Sequence, residues 1–233
     1  MNAIPAIFWD MDGTLVDSEP LWATATFDMS ERLGRRLSME KREETIGGSF
    51  ANTYRICCEH AGVTPTKKGA AEQQQLMFAQ IRQLFAEQLD FAPGVRELLA
   101  ELHSAGVPMI ITTNTPRSIV GPALDKLGAD YFVDTICGDE VPTMKPAPDM
   151  YLEASKRVGK NPGECLVFED SHTGMRAAWD AGCRLVGLPH SPEVPVPDGA
   201  STIQHLRGIG HQEENFAGVS AADVAKWYHQ TAR

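Results

Sequence analysis

No apolar run in the sequence approaches the roughly 20 residues that a membrane-spanning helix requires. Positive charge is also in short supply: 21 lysines and arginines stand against 31 aspartates and glutamates, for a formal net charge of −10. With no basic stripe, nucleic acid and anionic membrane surfaces are poor partners. Any anionic ligand must be held by local cations against a repelling overall field. The five cysteines form no Cys-x-x-Cys pair and no spaced Cys/His ligand set, which points away from a disulfide framework or a zinc site. Cys57 and Cys58 fall on an apolar stripe and read as buried free thiols, as in a reducing cytoplasm. The opening residues, Met1-Asn2-Ala3-Ile4-Pro5, have neither the charged nor the long apolar region of a secretory signal. There is no internal repeat and no low-complexity segment.

What is present is an ordinary globular composition, 42% hydrophobic and 22% charged over 233 residues. That length allows one large domain or two small ones, and buries roughly 70% or more of the unfolded chain's surface. Short, almost wholly apolar runs at Ile4–Trp9, Val107–Thr112, Phe132–Cys137, Cys165–Phe168 and Arg184–Leu188 read as strands covered on both faces. Helical stripes lie between them: Val95, Leu98, Leu99 and Leu102; Ile119, Val120, Ala123, Leu124 and Leu127, with Gly128 placed to end the helix; and Tyr151, Leu152, Ser155 and Val158. This alternation predicts an α/β domain with a mostly parallel, Rossmann-like sheet. Residues 18–90 break it, carrying three helical stripes (Trp22, Ala25, Met29, Leu33; Phe50, Tyr54, Cys57, Cys58, Ala61; Met77, Ile81, Leu84, Phe85) without a strand. They predict an inserted helical cap domain, leaving residues 1–17 and 91–233 as the catalytic core. The proline-rich stretch from Pro189 to Pro197 reads as irregular and Ala221–Tyr228 as a terminal helix.

Four junctions between strand and loop carry chemistry. Asp10 and Asp12, two apart in extended chain, approach one volume at the C-terminal end of the first strand. Two carboxylates held together repel unless a cation or a proton intervenes; an ordinary acidic turn is the alternative. Glu169-Asp170 closes a second apolar strand, giving either oxygen ligands suited to a hard cation such as Mg²⁺ or a cap for the helix from His172 to Ala181. In Thr112-Thr113-Asn114-Thr115-Pro116, hydroxyl and amide groups meet a helix start, as a phosphate cradle or as a simple N-cap. Lys145, between strand and helix in a loop fixed by Pro146 and Pro148, is the cation that an acid cluster and an anionic substrate both require.

In this order and spacing, Asp10-Met11-Asp12-Gly13-Thr14, Thr113, Lys145 and Glu169-Asp170 resemble the four motifs of the haloacid dehalogenase superfamily of phosphohydrolases. The likeness extends over about residues 5 to 188, and the helical insert resembles the cap of its phosphoglycolate, sugar- and polyol-phosphate phosphatase and β-phosphoglucomutase subgroup. The resemblance implies Asp10 as nucleophile forming an aspartyl phosphate and Asp12 as general acid and then base. It implies Mg²⁺ on Asp10, the Asp12 carbonyl and Asp170, with Glu169 close by directly or through water. It also implies phosphoryl oxygens held by Thr113, Lys145 and the backbone amides of Asn114 and Asp12. The expected activity is Mg²⁺-dependent hydrolysis of a small sugar, polyol or glycolate phosphate by a cytoplasmic monomer.

The alternative is a phosphomutase of the β-phosphoglucomutase type. Those enzymes carry a His after the first motif and an Arg in the cap loop, where this chain has Asp17–Trp22 and Thr45–Phe50. Dehalogenase chemistry has no need of a second acid such as Asp12, and a non-enzymatic protein would not need all four motifs. Substrate choice is expected at Gly47, Gly48 and Ser49 of the cap loop. Arg35, Arg36, Arg42 and Arg55 read as solvated helix-face charges unless one meets a second anionic group. Trp9 and Trp22 read as packing, and His172 as a solvated helix start.

Overall fold

The computed structural model describes residues 4–46, 48–208 and 215–231. The chain divides into two compact units, Met1–Asp17 with Asp90–Arg233, and Ser18–Leu89. After β1 (Ala6–Trp9) the chain enters the second unit, built from α1 (Glu19–Arg32), α2 (Met39–Glu43), α3 (Phe50–Ala61) and α4 (Lys67–Gln88). The first unit resumes with α5 (Val95–Ser104), β2 (Met109–Thr113), α6 (Arg117–Leu127), β3 (Asp134–Cys137), α7 (Asp149–Arg157), β4 (Cys165–Glu169), α8 (His172–Asp180) and β5 (Arg184–Gly187). It ends with β6 (Ser201–Thr202), α9 (Ile203–Arg207) and α10 (Ala221–Gln230).

The six strands form one sheet in the order β3-β2-β1-β4-β5-β6, with every pairing parallel. This is a Rossmann-like α/β fold. Every parallel connection except β5 to β6, which runs through irregular chain, crosses over through helical chain, which covers the sheet and explains why β1, β2 and β4 are buried at every position. Strand order reverses direction at β1, and ligand crevices in such sheets open at the C-terminal ends of the strands flanking that switch. In the register, Trp9 lies beside Ile111 on one side and Phe168 on the other, so Asp10, Thr112 and Glu169 follow in adjacent rows. Trp9 is fully buried and stacks on Phe168 at 4.5 Å, with Phe216 against it edge-on; it packs the core beneath that row.

Several strand boundaries differ from the sequence reading, most for a local reason. β1 and β2 begin after Pro5 and Pro108, which have no N–H to give a ladder. β3 begins only at Asp134, because residues 129–131 form a 3-10 turn and Val133 is exposed. β2 and β4 run one residue further than their apolar runs, through Thr113 and Glu169. β6 is two residues long, too short to leave an alternation pattern in the proline-rich tail. No helix among the described residues is long and apolar enough to cross a membrane, and all five cysteines are buried. Burial pushes the Cys57 and Cys137 thiols up to about 12 and Cys165 up to about 11.

Residues 16–17 and 90–91, where the chain leaves and rejoins the sheet unit, run side by side: Val16 bridges Phe91 antiparallel and Asp17 N donates to the Asp90 carbonyl at 3.1 Å. In the helical unit, α2, α3 and α4 each begin with a hydroxyl cap, as Ser38, Ser49 and Thr66 accept the backbone N–H of Lys41, Asn52 and Gly69. The buried face of α1 carries Leu21, Ala25, Phe27 and Met29 instead of Trp22 and Leu33; Trp22 is half-buried, edge-on to Phe85.

Arg42 departs from the expected solvated charge. It is 4% exposed, donates to Glu19 at 2.5 Å and to Thr45 Oγ1 at 3.1 Å, and its Nε is buried without a partner. Arg35, Arg36 and Arg55 are exposed, bonded to the His60 carbonyl, to Glu31, and to Glu59 with Asn52. A buried charge that loses its partner costs more than one removed altogether. Glu19→Ala is therefore expected to cost about 1–3 kcal/mol in urea unfolding, and Arg42→Met less, because Glu19 is half-exposed and water can solvate it again.

Candidate active site

The site is assembled from the C-terminal ends of β1, β2 and β4 and the loop before α7. Asp10 leaves β1 with its N–H donated to the Phe168 carbonyl at 3.0 Å, so the neighbouring strand fixes its backbone. The chain then doubles back: Leu15 and Val16 N–H both return to the Met11 carbonyl, and Gly13 N donates to Val16 O. Gly13 has φ +82°, and a Cβ there would lie 2.2 Å from Asp170 Oδ2, so glycine both permits the turn and leaves room for the second acid.

The structure brings together Asp10, Lys145, Glu169 and Asp170. One carboxylate oxygen from each of Asp10, Glu169 and Asp170 lies within 4.8 Å of the others. Lys145, 5% exposed, donates to Asp10 Oδ1 at 2.7 Å, to Glu169 Oε1 at 2.5 Å and to the Thr112 carbonyl at 2.9 Å. An ammonium has three protons, and those three bonds use all of them. Glu169 is completely buried. Its Oε1 also accepts from Tyr151 at 2.7 Å, and its Oε2 from the Ser171 hydroxyl and N–H at 3.2 and 3.4 Å. Two donors on each oxygen compensate the burial of this carboxylate. Its position is tight, since a Cβ at Gly174 would fall 1.9 Å from Glu169 Oε1.

The electrostatics are those of crowded acids short of positive charge. Burial and the charge of Glu169 raise the Asp10 carboxyl well above its ordinary value, against the pull of Lys145. The same two causes push Asp170 up to about 8. Burial opposes the Lys145 charge, but Asp10 and Glu169 outweigh it and hold the ammonium well above its usual range. Burial and Glu169 likewise raise the Tyr151 phenol well above its ordinary value. Three hard oxygen donors this close, with excess negative charge, fit a divalent cation of the Mg²⁺ type.

Asp12 stands outside that trio. Its Oδ2 accepts from Thr115 Oγ1 at 2.8 Å and from Thr113 Oγ1 at 3.2 Å, while Thr113 Oγ1 accepts the Thr115 N–H at 3.0 Å. Asn114 contributes through its side chain, which the sequence reading had not used: its Oδ1 accepts the Lys145 N–H at 3.0 Å and its Nδ2 donates to the Lys145 carbonyl at 3.2 Å. This pair of bonds locks the backbone of the lysine loop to the end of β2. Of the cap-loop residues, Gly48 and Ser49 are exposed and Ser49 caps α3; Gly47 lies outside the described residues.

The simple-cap alternatives go elsewhere. Ser171, and neither Glu169 nor Asp170, caps α8, accepting the Gly174 N–H at 3.0 Å. The first N–H of α6, on Arg117, is taken by Asp139 at 2.9 Å. His172 is exposed, its ring bonded to the Pro195 carbonyl. Tyr151, Ser171 and Thr115 are site residues to which the sequence reading assigns no role of their own. Only Tyr151 left a signal, as a phenol in a buried helical stripe, whose hydroxyl must find a partner.

Residues 4–182 match the haloacid dehalogenase-like hydrolase family. The chain belongs to that family. It is 32% identical over 220 residues to a probable pseudouridine-5'-phosphatase of Drosophila melanogaster, covering 91% of this chain and 93% of the relative. It is 34% identical over 193 residues to a phosphoglycolate phosphatase of Pectobacterium atrosepticum, covering 82% of each. Among solved structures, CbbY from Rhodobacter sphaeroides in complex with phosphate superposes with a TM-score of 0.79 at 26% identity, covering 95% of this chain and 99% of that one. The strand order and the carboxylate-lysine cluster are thus set within a hydrolase family.

Two expectations follow from the geometry. Because the folded state raises the Asp170 carboxyl from its ordinary 3.8 to about 8, folded protein holds a proton that unfolded protein releases. Stability in chelating buffer is then full at acid pH and falls as pH rises through the interval up to about 8. Urea midpoints are expected to drop from about pH 5 to about pH 8, with Asp170→Asn flattening the drop. Gly174→Ala, which forces Glu169 from its donors, is expected to cost about 1–3 kcal/mol in the same assay.

Proposed function

We propose that this hydrolase releases phosphate from a small phosphomonoester, with Mg²⁺ as cofactor and Asp10 as nucleophile. The observation that carries the reading is the convergence of Asp10, Glu169 and Asp170 on one another with Lys145 bonded to Asp10. Relatives bearing phosphatase names, matched over 93% and 82% of their length, support it. The buried thiols suit a cytoplasmic enzyme.

Asp10, Asp170 and the Asp12 carbonyl are the groups that would hold the ion, which when bound supplies positive charge to the transferring phosphoryl group and offsets the carboxylate repulsion. Glu169 would stand close to the ion and, with its oxygens already occupied by Lys145, Tyr151 and Ser171, acts by holding Lys145. Asp10 attacks phosphorus as the bond from phosphorus to the ester oxygen breaks, and Asp12 gives that departing oxygen its proton. Water then attacks the aspartyl phosphate and passes a proton back to Asp12, which restores the Asp10 carboxylate and frees inorganic phosphate. Thr113 and the backbone amides of Asn114 and Asp12 receive the phosphoryl oxygens. Lys145 keeps a fixed charge beside the attacking group, where pre-set charge is worth most.

The test is phosphate release from phosphoglycolate, glycerol phosphate, glucose 6-phosphate and pseudouridine 5'-phosphate, with Mg²⁺ and with chelator. Turnover of at least one ester that disappears on chelation is expected. Asp10→Asn should lower kcat by about 10³-fold or more with an unchanged unfolding transition. Full turnover by that variant ends the proposal, and isomerisation of a hexose 1-phosphate without phosphate release would mark a mutase instead.

A further inference from the structure

The hydroxyl of Thr115 lies in the junction after β2 but had no role of its own there, yet it makes the shorter of the two threonine bonds to Asp12. Thr115 is 7% exposed and sits just beyond the end of β2. Its backbone N–H is spent on Thr113 Oγ1 at 3.0 Å, which fixes the residue in place. The one proton of its hydroxyl goes to Asp12 Oδ2 at 2.8 Å. Thr113 also reaches Oδ2, but at 3.2 Å, and under the proposed function its hydroxyl is the one a phosphoryl oxygen engages. A carboxylate on a short side chain has two torsions to set, and a hydrogen bond to one defined oxygen from a fixed donor sets both. A proton donor that must meet a departing oxygen within about 3 Å loses rate steeply when either torsion drifts.

We infer that Thr115 is a positioning residue for the proton transfer by Asp12, holding the Asp12 carboxyl in the orientation that meets the leaving oxygen. This rests on the phosphatase reading. It acts through the Asp12 side chain and touches neither phosphorus nor an atom that would hold the ion, so its consequences fall on one part of the reaction. An alkoxide is a poor leaving group and departs only with a proton, whereas p-nitrophenolate is stable as the anion and departs without one. Formation of the aspartyl phosphate from an alkyl ester therefore depends on Thr115, and formation from p-nitrophenyl phosphate does not. Because kcat/KM covers the steps up to departure of the leaving group, it isolates this difference from the later hydrolysis common to both esters.

The experiment compares wild type, Thr115→Val, which keeps the shape and deletes the hydroxyl, and Thr115→Ser, which keeps the hydroxyl. Each is assayed with Mg²⁺ on p-nitrophenyl phosphate and on whichever alkyl monoester of the panel above turns over fastest. For Thr115→Val, kcat/KM on the alkyl ester is expected to fall by about 10- to 100-fold and on p-nitrophenyl phosphate by less than about 3-fold, with Thr115→Ser recovering most of the loss. Equal losses on the two esters, no loss on either, or a serine variant as impaired as valine would overturn the inference while leaving the phosphatase reading intact. Wild-type enzyme that hydrolyses none of the alkyl monoesters overturns the phosphatase reading itself. A thermal unfolding scan of each variant separates misfolding from a change in selectivity, because a misfolded fraction lowers both esters alike.

Discussion

Lys145 is bonded to two carboxylates, Asp10 and Glu169, in a place where water reaches neither fully, and the rest of the site is organised around that contact. A single ammonium cannot balance three acids crowded within a few ångströms, so the cluster retains a demand for positive charge that raises Asp10 and Asp170. Placing the lysine well is therefore a structural task. Asn114 performs it by gripping both polar groups of the Lys145 backbone, and Tyr151 and Ser171 hold Glu169 from the far side. Glycine at 13 and 174 leaves the space that Asp170 and Glu169 fill.

The parallel sheet makes this arrangement possible. Side-by-side strands put Asp10 and Glu169 in neighbouring rows, although they are far apart along the chain. Buried backbone bonds then hold those rows in register at no conformational cost to the acids themselves. The polar residues at the strand ends are still within the ladder, as β2 and β4 run through Thr113 and Glu169. Chemistry here begins on the rigid element and continues onto a loop, a combination that favours pre-set geometry.

Family membership and site geometry speak to different questions. The match over residues 4–182 and relatives at 32–34% identity fix the hydrolase family. The relatives' names differ in substrate, and under the proposed function the four-carboxylate, one-lysine core would treat any phosphomonoester alike, because its groups would address the phosphoryl group and the ion. What would distinguish esters at this core is the leaving oxygen, which the proposed function assigns to Asp12, the carboxylate bonded to Thr113 and Thr115.

The sequence by itself determined the alternation of elements and the helical insert and marked Asp10, Asp12, Lys145, Glu169 and Asp170 as candidates, because apolar runs ending in acids and a lysine followed by Pro146 are local features that survive without coordinates. Tertiary structure decided which groups meet. The side-chain role of Asn114, the hydroxyls of Tyr151 and Thr115, and the burial of Arg42 against Glu19 depend on contacts between segments remote in the chain, and no local pattern encodes a partner that arrives from another element. The sheet edges show the same division. Side-chain polarity ends an apolar run one residue early, whereas a strand ends where backbone pairing ends, and pairing is a property of two chain segments at once.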